Sequence, residues 1–447
     1  MTSGTLPTAP PLGMLDEVLS GRLGVAAVRD VVLHPWQHGA GGNPSEIPAE
    51  PLTEGAVGLT LLRSKFKPGR KLSAYYRRGP GDGTAAEYLA VSWHSGAADG
   101  DTGAVTVQVF PDDPAMPQLA RLSDPHYLAS LATDLDPRLR EAAVPLVHGP
   151  LRVTPVRYRP GQRHVLSVSA SRATPGPRSG FFAKTDKDTS GERATEVATR
   201  LGPLLARRCP HATVVEPLGF SPRDSAALWR MAPGAPLSHV LAVRAGEAAA
   251  YVALVGRAAR VLHDEARAAL GPSIVDRLPD HDLASEVRST LRAGEHVRAL
   301  LPQVGRQFDD VAAGVVHALE GVQGHPACFL HGDLKSDNLL VDDGRVRVLD
   351  LDRVCLGDAA LDLGKLLADL RWCAGSEPRA QRLQAALRDG YGPDTDERWA
   401  RAGVLAALFA LKFAARRCAV HDPRWESRVR AQVDLAQSTL SAAARPW

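Results

Sequence analysis

Cysteine is scarce in this sequence of 447 residues, which contains only five. The five thiols are scattered, odd in number and without the spacing of metal ligands: Cys209, Cys328, Cys355, Cys373 and Cys418. These features argue against a disulfide-stapled secreted fold and against a zinc module. They predict reduced thiols in a cytoplasmic protein.

Aromatic residues and net charge are also low, at 5% and +3. A nucleic-acid-binding protein needs a dense basic surface or stacking platforms, so we expect no nucleic acid partner. The longest apolar run, from 404 to 415, is interrupted by Lys412. It predicts a buried helix and no membrane span. The first 13 residues lack a basic start followed by an apolar core, so no signal peptide is expected.

The strongest chemical signal is the segment 331–352, HGDLKSDNLLVDDGRVRVLDLD. The polar turn Asp342-Asp343-Gly344 separates two short apolar stretches, which predicts a β-hairpin. Asn338 and Asp350 flank the hairpin and would meet at its base. Their amide and carboxylate oxygens could hold Mg²⁺ together with phosphate oxygens. Asp333 would lie beside the metal, free to accept the proton of an attacking hydroxyl.

This pattern resembles the catalytic and metal-binding loops of the protein-kinase-like superfamily, most closely its aminoglycoside phosphotransferase and choline kinase branch. Gly332 stands where protein kinases usually carry arginine, and Asp350-Leu351-Asp352-Arg353 replaces their D-F-G signature. Downstream, LGDAALDLG over 356–364 looks like the G-D-P-A-x-D-L-A stretch of that branch, with Ala359 in place of a common proline. Several spaced polar positions agree over about forty residues, so a coincidental acidic hairpin is a weak alternative.

The resemblance implies a role for each polar residue of this segment. Asp333 is the expected catalytic base, and Asn338 and Asp350 are the expected Mg²⁺ ligands. Lys335 lies where Ser/Thr protein kinases have a lysine that touches the γ-phosphate. It would neutralise charge on the transferred group, and a solvated loop lysine is the alternative.

A kinase-like fold also requires an upstream lysine that pairs the α- and β-phosphates of ATP. Lys184 ends the strand-like segment Phe181-Phe182-Ala183-Lys184 and is the expected residue. A helix should follow, beginning with the capping box Thr189-Ser190-Gly191-Glu192. Glu196 inside this helix is expected to pair with Lys184. Glu192 is the competing partner, and a solvent-facing Glu196 is the remaining alternative.

A strand over 226–231 followed by a Gly-Ala-Pro-Leu turn resembles the hinge between the kinase lobes. Backbone groups from Trp229 to Met231 are expected to contact adenine. Two histidines, His263 and His331, are interpreted as packed, hydrogen-bonded scaffold residues.

The first third of the chain contains a second copy of the N-lobe hairpin. The stretch 64–76 echoes 156–168, with a Pro-Gly pair in each. Aligning 88–91 with 181–184 places Val91 at the position of the phosphate-binding lysine, so the first copy should bind no nucleotide. Its basic residues predict either a solvated sheet face or a surface for an anionic partner or substrate. They are Arg63, Lys65, Lys67, Arg70, Lys71, Arg77 and Arg78.

Together these features predict an α+β chain with a two-lobed protein-kinase-like fold, which has a β-rich N-lobe, a mostly helical C-lobe and an additional β-rich N-terminal cap. We place a non-catalytic cap, similar to those of maltokinase-like members, at 1–145. The N-lobe is placed at 146–233, and the C-lobe, with the catalytic loop and the acceptor-binding helices, at 234–447.

The expected activity is ATP- and Mg²⁺-dependent transfer of the γ-phosphate to a hydroxyl of a small molecule of sugar, aminocyclitol or aminoglycoside type. Lys335 and the basic cap suggest an alternative, a Ser/Thr kinase acting on a precursor peptide in a modified-peptide pathway. A partner protein could also bind through the cap. A nucleotide-binding pseudokinase is a weaker alternative, because Lys184, Asp333, Asn338 and Asp350 are all present.

Overall fold

A computed structural model of the chain describes residues 15–34, 59–79, 87–95, 105–141, 151–170, 180–320, 326–393 and 396–443. The boundary expected at 145/146 lies outside these residues. So does most of the loop expected between the second and third strands of the N-lobe. None of the described helices is long and apolar enough to cross a membrane.

The N-terminal part contains two helices and an antiparallel sheet. The helices are α1 (Leu15–Ser20) and α2 (Gly24–Leu33), and the strands are β1 (Leu59–Lys67), β2 (Lys71–Arg78), β3 (Glu87–His94) and β4 (Val105–Val109), paired in the order β1-β2-β3-β4. Apolar residues alternate along these strands, so that Leu72, Val91 and Trp93 are buried. They belong to the same core as α1, α2 and the C-lobe helices.

A second sheet forms the N-lobe. Its elements are β5 (Leu151–Arg159), β6 (Arg163–Ala170), β7 (Gly180–Asp186), the helix α6 (Ser190–Arg208), β9 (Pro217–Ser221) and β10 (Ala226–Arg230), with strand order β5-β6-β7-β10-β9. Three helices of the N-terminal part, α3 (Gln118–Leu122), α4 (Pro125–Leu135) and α5 (Arg138–Glu141), share a separate core with this sheet. Part of the expected cap therefore packs directly on the N-lobe.

The two sheets share the topology of their first three strands, but the alignment that we expected is wrong by one residue. Ser73 pairs with Ser92 in the first copy, and the equivalent Val165 pairs with Lys184 in the second. Ser92 therefore occupies the position of the lysine, and Val91 occupies that of Ala183. The buried hydroxyls of Ser73 and Ser92 are hydrogen-bonded to each other at 3.1 Å. The first copy still lacks a phosphate-binding amine at this position.

The C-lobe is mostly helical. It contains α7 (Leu237–Val243), α8 (Ala245–Leu270), α9 (Pro272–Val275), α10 (Leu283–Ala293), α11 (Glu295–Leu300), α12 (Pro302–Leu319), α13 (Ala360–Ala374), α14 (Glu377–Tyr391), α15 (Asp396–Arg417) and α16 (Trp425–Ala443). Its short strands are β11 (Ala235–Pro236), β12 (Cys328–Leu330), β13 (Leu339–Asp342), β14 (Arg345–Val348) and β15 (Cys355–Gly357). The strand β8 (Ala212–Val214) pairs in parallel with β14, which ties the end of α6 to the C-lobe.

The apolar run expected to form a buried helix lies within α15, and its lysine is paired. Lys412 is 5% exposed and donates to the carboxylate of Glu286 on α10, which is 3% exposed. His281 lies 2.9 Å from the same carboxylate. Burial opposes the charge of Glu286, yet the His281 contact and the Lys412 charge lower the pKa of Glu286 to about 2. The pair lets a charged residue occupy the centre of an apolar helix.

Breaking this pair should destabilise the protein more than removing both members. In Lys412→Met the carboxylate of Glu286 stays buried without its cation, and we expect a loss of about 3 kcal/mol in the free energy of unfolding. The double variant Glu286→Leu/Lys412→Met should lose clearly less. Urea unfolding followed by circular dichroism compares the three proteins. A double variant as unstable as the single one would contradict the role of the pair.

Candidate active site

The hairpin predicted after the catalytic loop is present. Asp343 and Gly344 have φ values of 46° and 68°, which suits the two-residue turns that match the twist of paired strands. Leu339 pairs with Val348, and the Leu349 N–H donates to the Asn338 carbonyl at 2.9 Å. Asn338 and the residue that follows Leu349, Asp350, therefore lie at the base of the hairpin, as predicted.

A buried carboxylate holds the backbone of the catalytic loop. Asp362 on α13 accepts from the N–H of His331 at 2.7 Å and from the N–H of Gly332 at 3.0 Å. The His331 ring donates from Nε2 to the Leu349 carbonyl at 2.8 Å, and its Nδ1 accepts from the Asp333 N–H at 3.2 Å. His331 is thus the scaffold residue that was expected, because it joins the catalytic loop, 331–338, to the turn 349–353, which we call the metal-binding turn after its expected ligand Asp350.

Gly332 is required by the backbone at this point. Its φ is +73°, and a Cβ would overlap the carbonyl oxygen of Arg353. A side chain cannot be accommodated without moving one of the two loops. This explains glycine at the position where protein kinases carry arginine.

Asp333 lies between two lysines and an amide. The Lys335 Nζ donates to Asp333 Oδ2 at 2.7 Å, and the Lys365 Nζ lies 3.2 Å from Oδ1. The Asn338 amide nitrogen donates to the Asp333 carbonyl at 2.9 Å and lies 3.2 Å from Oδ2. Burial opposes ionisation, but the charges of Lys365 and Lys335 hold the pKa of Asp333 well below its usual range. The side chain is therefore an anion at all physiological pH values.

Lys365 is the functional candidate that the sequence analysis missed. It lies on α13, is 6% exposed, donates to the Gly332 carbonyl at 2.8 Å and stands over the Phe409 ring at 5.0 Å. The signal in the sequence is a single lysine within the apolar helix LDLGKLLADL. A buried lysine requires a partner, but the sequence does not show which one.

Lys184 contacts the metal-binding turn. Its Nζ donates to Asp350 Oδ1 at 2.7 Å and also to Asp352. Asp352 is further paired with Arg163 on β6 at 2.8 Å. Burial raises the pKa of Asp352 to about 6, with the Asp350 charge adding to the effect. Burial also acts on Asp350, but there the Lys184 charge prevails and lowers its pKa.

The expected pair between Lys184 and Glu196 is not formed. Glu196 is 39% exposed and accepts from Arg277 Nη2 at 2.6 Å. Two carboxylates of the metal-binding turn already neutralise Lys184, and the acid on α6 instead pairs with an arginine of the C-lobe. The capping box is wrong as well, since Asp188 accepts from the Ser190 N–H at 3.0 Å and Thr189 makes no side-chain cap.

The expected hinge residues lie at the end of β10. Trp229 pairs with Phe182 of β7, and the Met231 N–H donates to the Gly180 carbonyl at 3.3 Å. The following linker is held by Arg347, whose Nη1 donates to the Pro233 carbonyl at 3.1 Å. An adenine contact would therefore use the Met231 carbonyl or groups after it, since the Met231 N–H is occupied.

The donor atoms suit a hard divalent cation. Because Asn338 uses its amide nitrogen toward Asp333, its oxygen remains as a ligand atom. Asp350 adds a carboxylate from the facing end of the hairpin. Mg²⁺ is commonly bound by one or two protein oxygens together with water and phosphate oxygens, so two protein ligands fit it. Within the described ranges there is no group of three or more His, Cys, Asp or Glu residues that could form a complete protein cage.

Comparison with known proteins gives one family match. The model of the phosphotransferase enzyme family matches residues 181–421. No curated protein sequence matches the chain. Among solved structures, it is similar to a choline/ethanolamine kinase family protein from Mesorhizobium loti, at 20% identity, 70% coverage of this chain, 99% coverage of that chain and a TM-score of 0.44.

Two further solved structures are similar at lower identity. A choline kinase from Cryptosporidium parvum is 11% identical, with coverage of 71% of this chain and 96% of that chain and a TM-score of 0.48. An aminoglycoside 2'-phosphotransferase-IIIa in complex with GDP is 12% identical, with coverage of 72% and 99% and a TM-score of 0.44.

Gly332 and Gly344 provide a matched pair for testing the loop geometry. Both have positive φ, at +73° and +68°, but nothing lies within 4 Å of a Cβ built at Gly344. Gly344→Ala should cost roughly 1–2 kcal/mol of unfolding free energy from backbone strain alone. Gly332→Ala adds a clash with Arg353 and should cost more and also reduce turnover. Equal losses in urea unfolding would contradict the clash.

Proposed function

Because this chain belongs to the phosphotransferase enzyme family and is therefore a kinase with an alcohol group as acceptor, we propose that it moves the γ-phosphate of ATP to a hydroxyl of a small molecule. The observation that supports this most is the single cluster that contains Lys184, Asp333, Asn338 and Asp350. The Asn338 amide nitrogen donates to the Asp333 carbonyl at 2.9 Å, and the Lys184 Nζ donates to Asp350 Oδ1 at 2.7 Å.

On the nucleotide side, Lys184 holds the α- and β-phosphates, and the linker after Met231 contacts adenine. Asn338 and Asp350 would hold Mg²⁺, and the bound ion would neutralise charge on the phosphate oxygens. In the free protein Lys184 neutralises Asp350 and Asp352 instead. Asp352 and Arg163 keep Lys184 directed at this turn, the role that Glu196 was expected to have.

On the acceptor side, Asp333 accepts a hydrogen bond from the hydroxyl and so aligns its oxygen with the γ-phosphate. Its strongly lowered pKa makes it a weak base, so the proton reaches it as the new bond to phosphorus forms. Lys335 lies 2.7 Å from Asp333 and is placed to neutralise the transferred group. Catalysis is then mainly positioning and charge neutralisation.

We further propose that the chain divides into a non-catalytic cap at 1–145, an N-lobe at 146–233 and a C-lobe at 234–447. The cap contacts both lobes. Asp113, which follows β4, accepts from the Gly161 N–H of the N-lobe at 2.7 Å. Ser64 on β1 lies 2.8 Å from Nδ1 of His421 in the C-lobe. These two contacts support a role for the cap in acceptor binding.

The role of Asp333 can be tested against a matched acid in the same loop. Asp333→Asn should reduce γ-phosphate transfer by about 10²-fold or more while nucleotide binding remains near that of the unmodified protein. Asp337 is exposed, with 56% of its side chain accessible, and Asp337→Asn should leave turnover near wild type. Transfer measured across sugars, aminocyclitols and aminoglycosides provides the assay. Turnover of Asp333→Asn within threefold of wild type would exclude it as the base.

Asp350 and Asp352 should differ in how Mg²⁺ affects their variants. Asp350→Asn removes a metal ligand, so we expect it to abolish the gain in ATP affinity that Mg²⁺ provides. Asp352→Asn releases Lys184, so it should weaken ATP binding to a similar degree with and without Mg²⁺. Calorimetric titration of ATP under both conditions separates the two. The opposite pattern would place the metal ligand two residues later.

A further inference from the structure

Five basic side chains from three parts of the chain lie near one another, and two of them, Arg157 and Arg416, lie near the carboxylate of Asp333. The five are Arg63 and Lys65 on β1, Arg157 and Arg159 on β5, and Arg416 on α15. We call them the basic cluster. Arg159 is half-buried and the others are exposed. Within the described part of the chain, none of the five forms an ion pair with a carboxylate.

Specific contacts bring the cap side of the cluster to the C-lobe. Ser64, between Arg63 and Lys65, has its hydroxyl 2.8 Å from Nδ1 of His421. His421 lies in the loop that follows α15, close in sequence to Arg416. A second contact supports this docking, since Arg29 on α2 donates to the Asp422 carbonyl at 3.1 Å. The β1 strand therefore lies against the end of α15.

The N-lobe side of the cluster approaches the metal-binding turn. Arg159 is paired in register with Arg163 at the end of the β5–β6 hairpin. Arg163 in turn contacts Asp352 at 2.8 Å. The hairpin tip, with Arg157 and Arg159 on its first strand, is therefore held beside Asp350 and Asp352.

The electrostatic effects agree with this placement. Desolvation is the largest effect on Lys65, and together with the charges of Lys67, Arg63, Arg159 and Arg416 it lowers the pKa of Lys65 to about 8. Burial lowers the pKa of Arg416, which is also close enough to Arg63 and Asp333 for their charges to act on it. The positive charges of the basic cluster are thus held close together although they repel one another, and they lie near the carboxylate of Asp333.

Other groups already neutralise the acids of the site. Lys335 and Lys365 neutralise Asp333, and Lys184 with Arg163 neutralises Asp350 and Asp352. The basic cluster adds further positive charge to a centre whose acids are already paired with cations. A group of mutually repelling cations at a cleft is stabilised by a bound anion, and such a surface attracts anions selectively.

We propose, building on the proposed function, that the basic cluster binds a phosphate or carboxylate group of a small anionic acceptor and thereby presents the acceptor hydroxyl to Asp333. The acceptor would bridge the cap and the two lobes. A strongly cationic acceptor, such as a polyamine sugar, would be repelled from the same cleft. The cap thus recognises the charge of the acceptor.

Affinity labelling of Lys65 tests the anion site without any phosphate transfer. Pyridoxal 5'-phosphate carries an aldehyde and a phosphate, and its imine with lysine is trapped by borohydride. At pH 8 we expect it to modify Lys65 at least about 10-fold faster than 5-deoxypyridoxal, which lacks the phosphate. Inorganic phosphate and added salt should slow the reaction. Peptide mass spectrometry of the full chain measures the rates.

A double variant and a matched control isolate the effect of charge. In Arg63→Gln/Arg416→Gln the ratio of the two labelling rates should fall toward one, and taking the ratio cancels any change in the pKa of Lys65. Arg207→Gln/Arg382→Gln removes the same charge from exposed positions on α6 and α14 and should leave the ratio unchanged. Equal rates for the two reagents in the unmodified protein, or no protection by phosphate, would overturn the proposal.

Transfer assays distinguish failure of the site from failure of the activity. With glucose and glucose 6-phosphate as a charge-matched pair, and glycerol and glycerol 3-phosphate as another, we expect transfer to the phosphorylated members and salt-sensitive KM values. Preference for the neutral members would overturn the anionic acceptor even if Asp333→Asn abolishes transfer. Phosphate-selective labelling of Lys65 together with an unaffected Asp333→Asn variant would instead reject the proposed base and leave the anion site in place.

Discussion

The carboxylate of Asp362 is the constraint on which the catalytic centre depends. It is 2% exposed, accepts the backbone N–H groups of His331 and Gly332, and lies 3.5 Å from Nε2 of His263. Two consecutive N–H groups on one buried carboxylate leave the loop little freedom, since each would otherwise be an unsatisfied donor. Nδ1 of His263 is in turn hydrogen-bonded to the hydroxyl of Tyr391 at 2.9 Å. The position of Asp333 therefore depends on α8, α13 and α14 as well as on contacts within its own loop.

Local patterns were sufficient to predict the hairpin and the meeting of Asn338 and Asp350 at its base. The Asp-Gly turn and the flanking alternation determine the register that brings Asn338 to Asp350, and both signals lie within a short segment. Lys184 could be found because it lies near the end of a strand that precedes a helix. The pairing of Glu196 could not be predicted in the same way, because it depends on whether α6 or the turn at Asp352 reaches Lys184. That choice is made by tertiary packing.

Two other differences have the same physical origin. Lys365 could not be predicted as a site residue from the sequence, because its partner, Asp333, lies on a different element. The repeat in the first third was recognised, but a one-residue error placed Val91 where Ser92 belongs, and in a strand one residue reverses the face of the sheet. The hydrogen bond between Ser73 and Ser92 shows the true register. Side-chain similarity over short stretches could not fix it without the cross-strand pairs.

The repeat also explains how charge is distributed over the cleft. Both hairpins turn at a Pro-Gly pair whose glycine has positive φ, +67° at Gly69 and +66° at Gly161, so the two copies present the same strand pair. In the second copy the third strand carries Lys184 toward the acids of the metal-binding turn. In the first copy a serine stands there, and the basic residues of the cluster other than Arg416 lie on the outer strands of both copies, β1 and β5. The same backbone thus places cations on two sides of one centre. Asp350 and Asp352 balance the cation on β7, and in the proposed mode of binding an anionic acceptor balances those of the basic cluster.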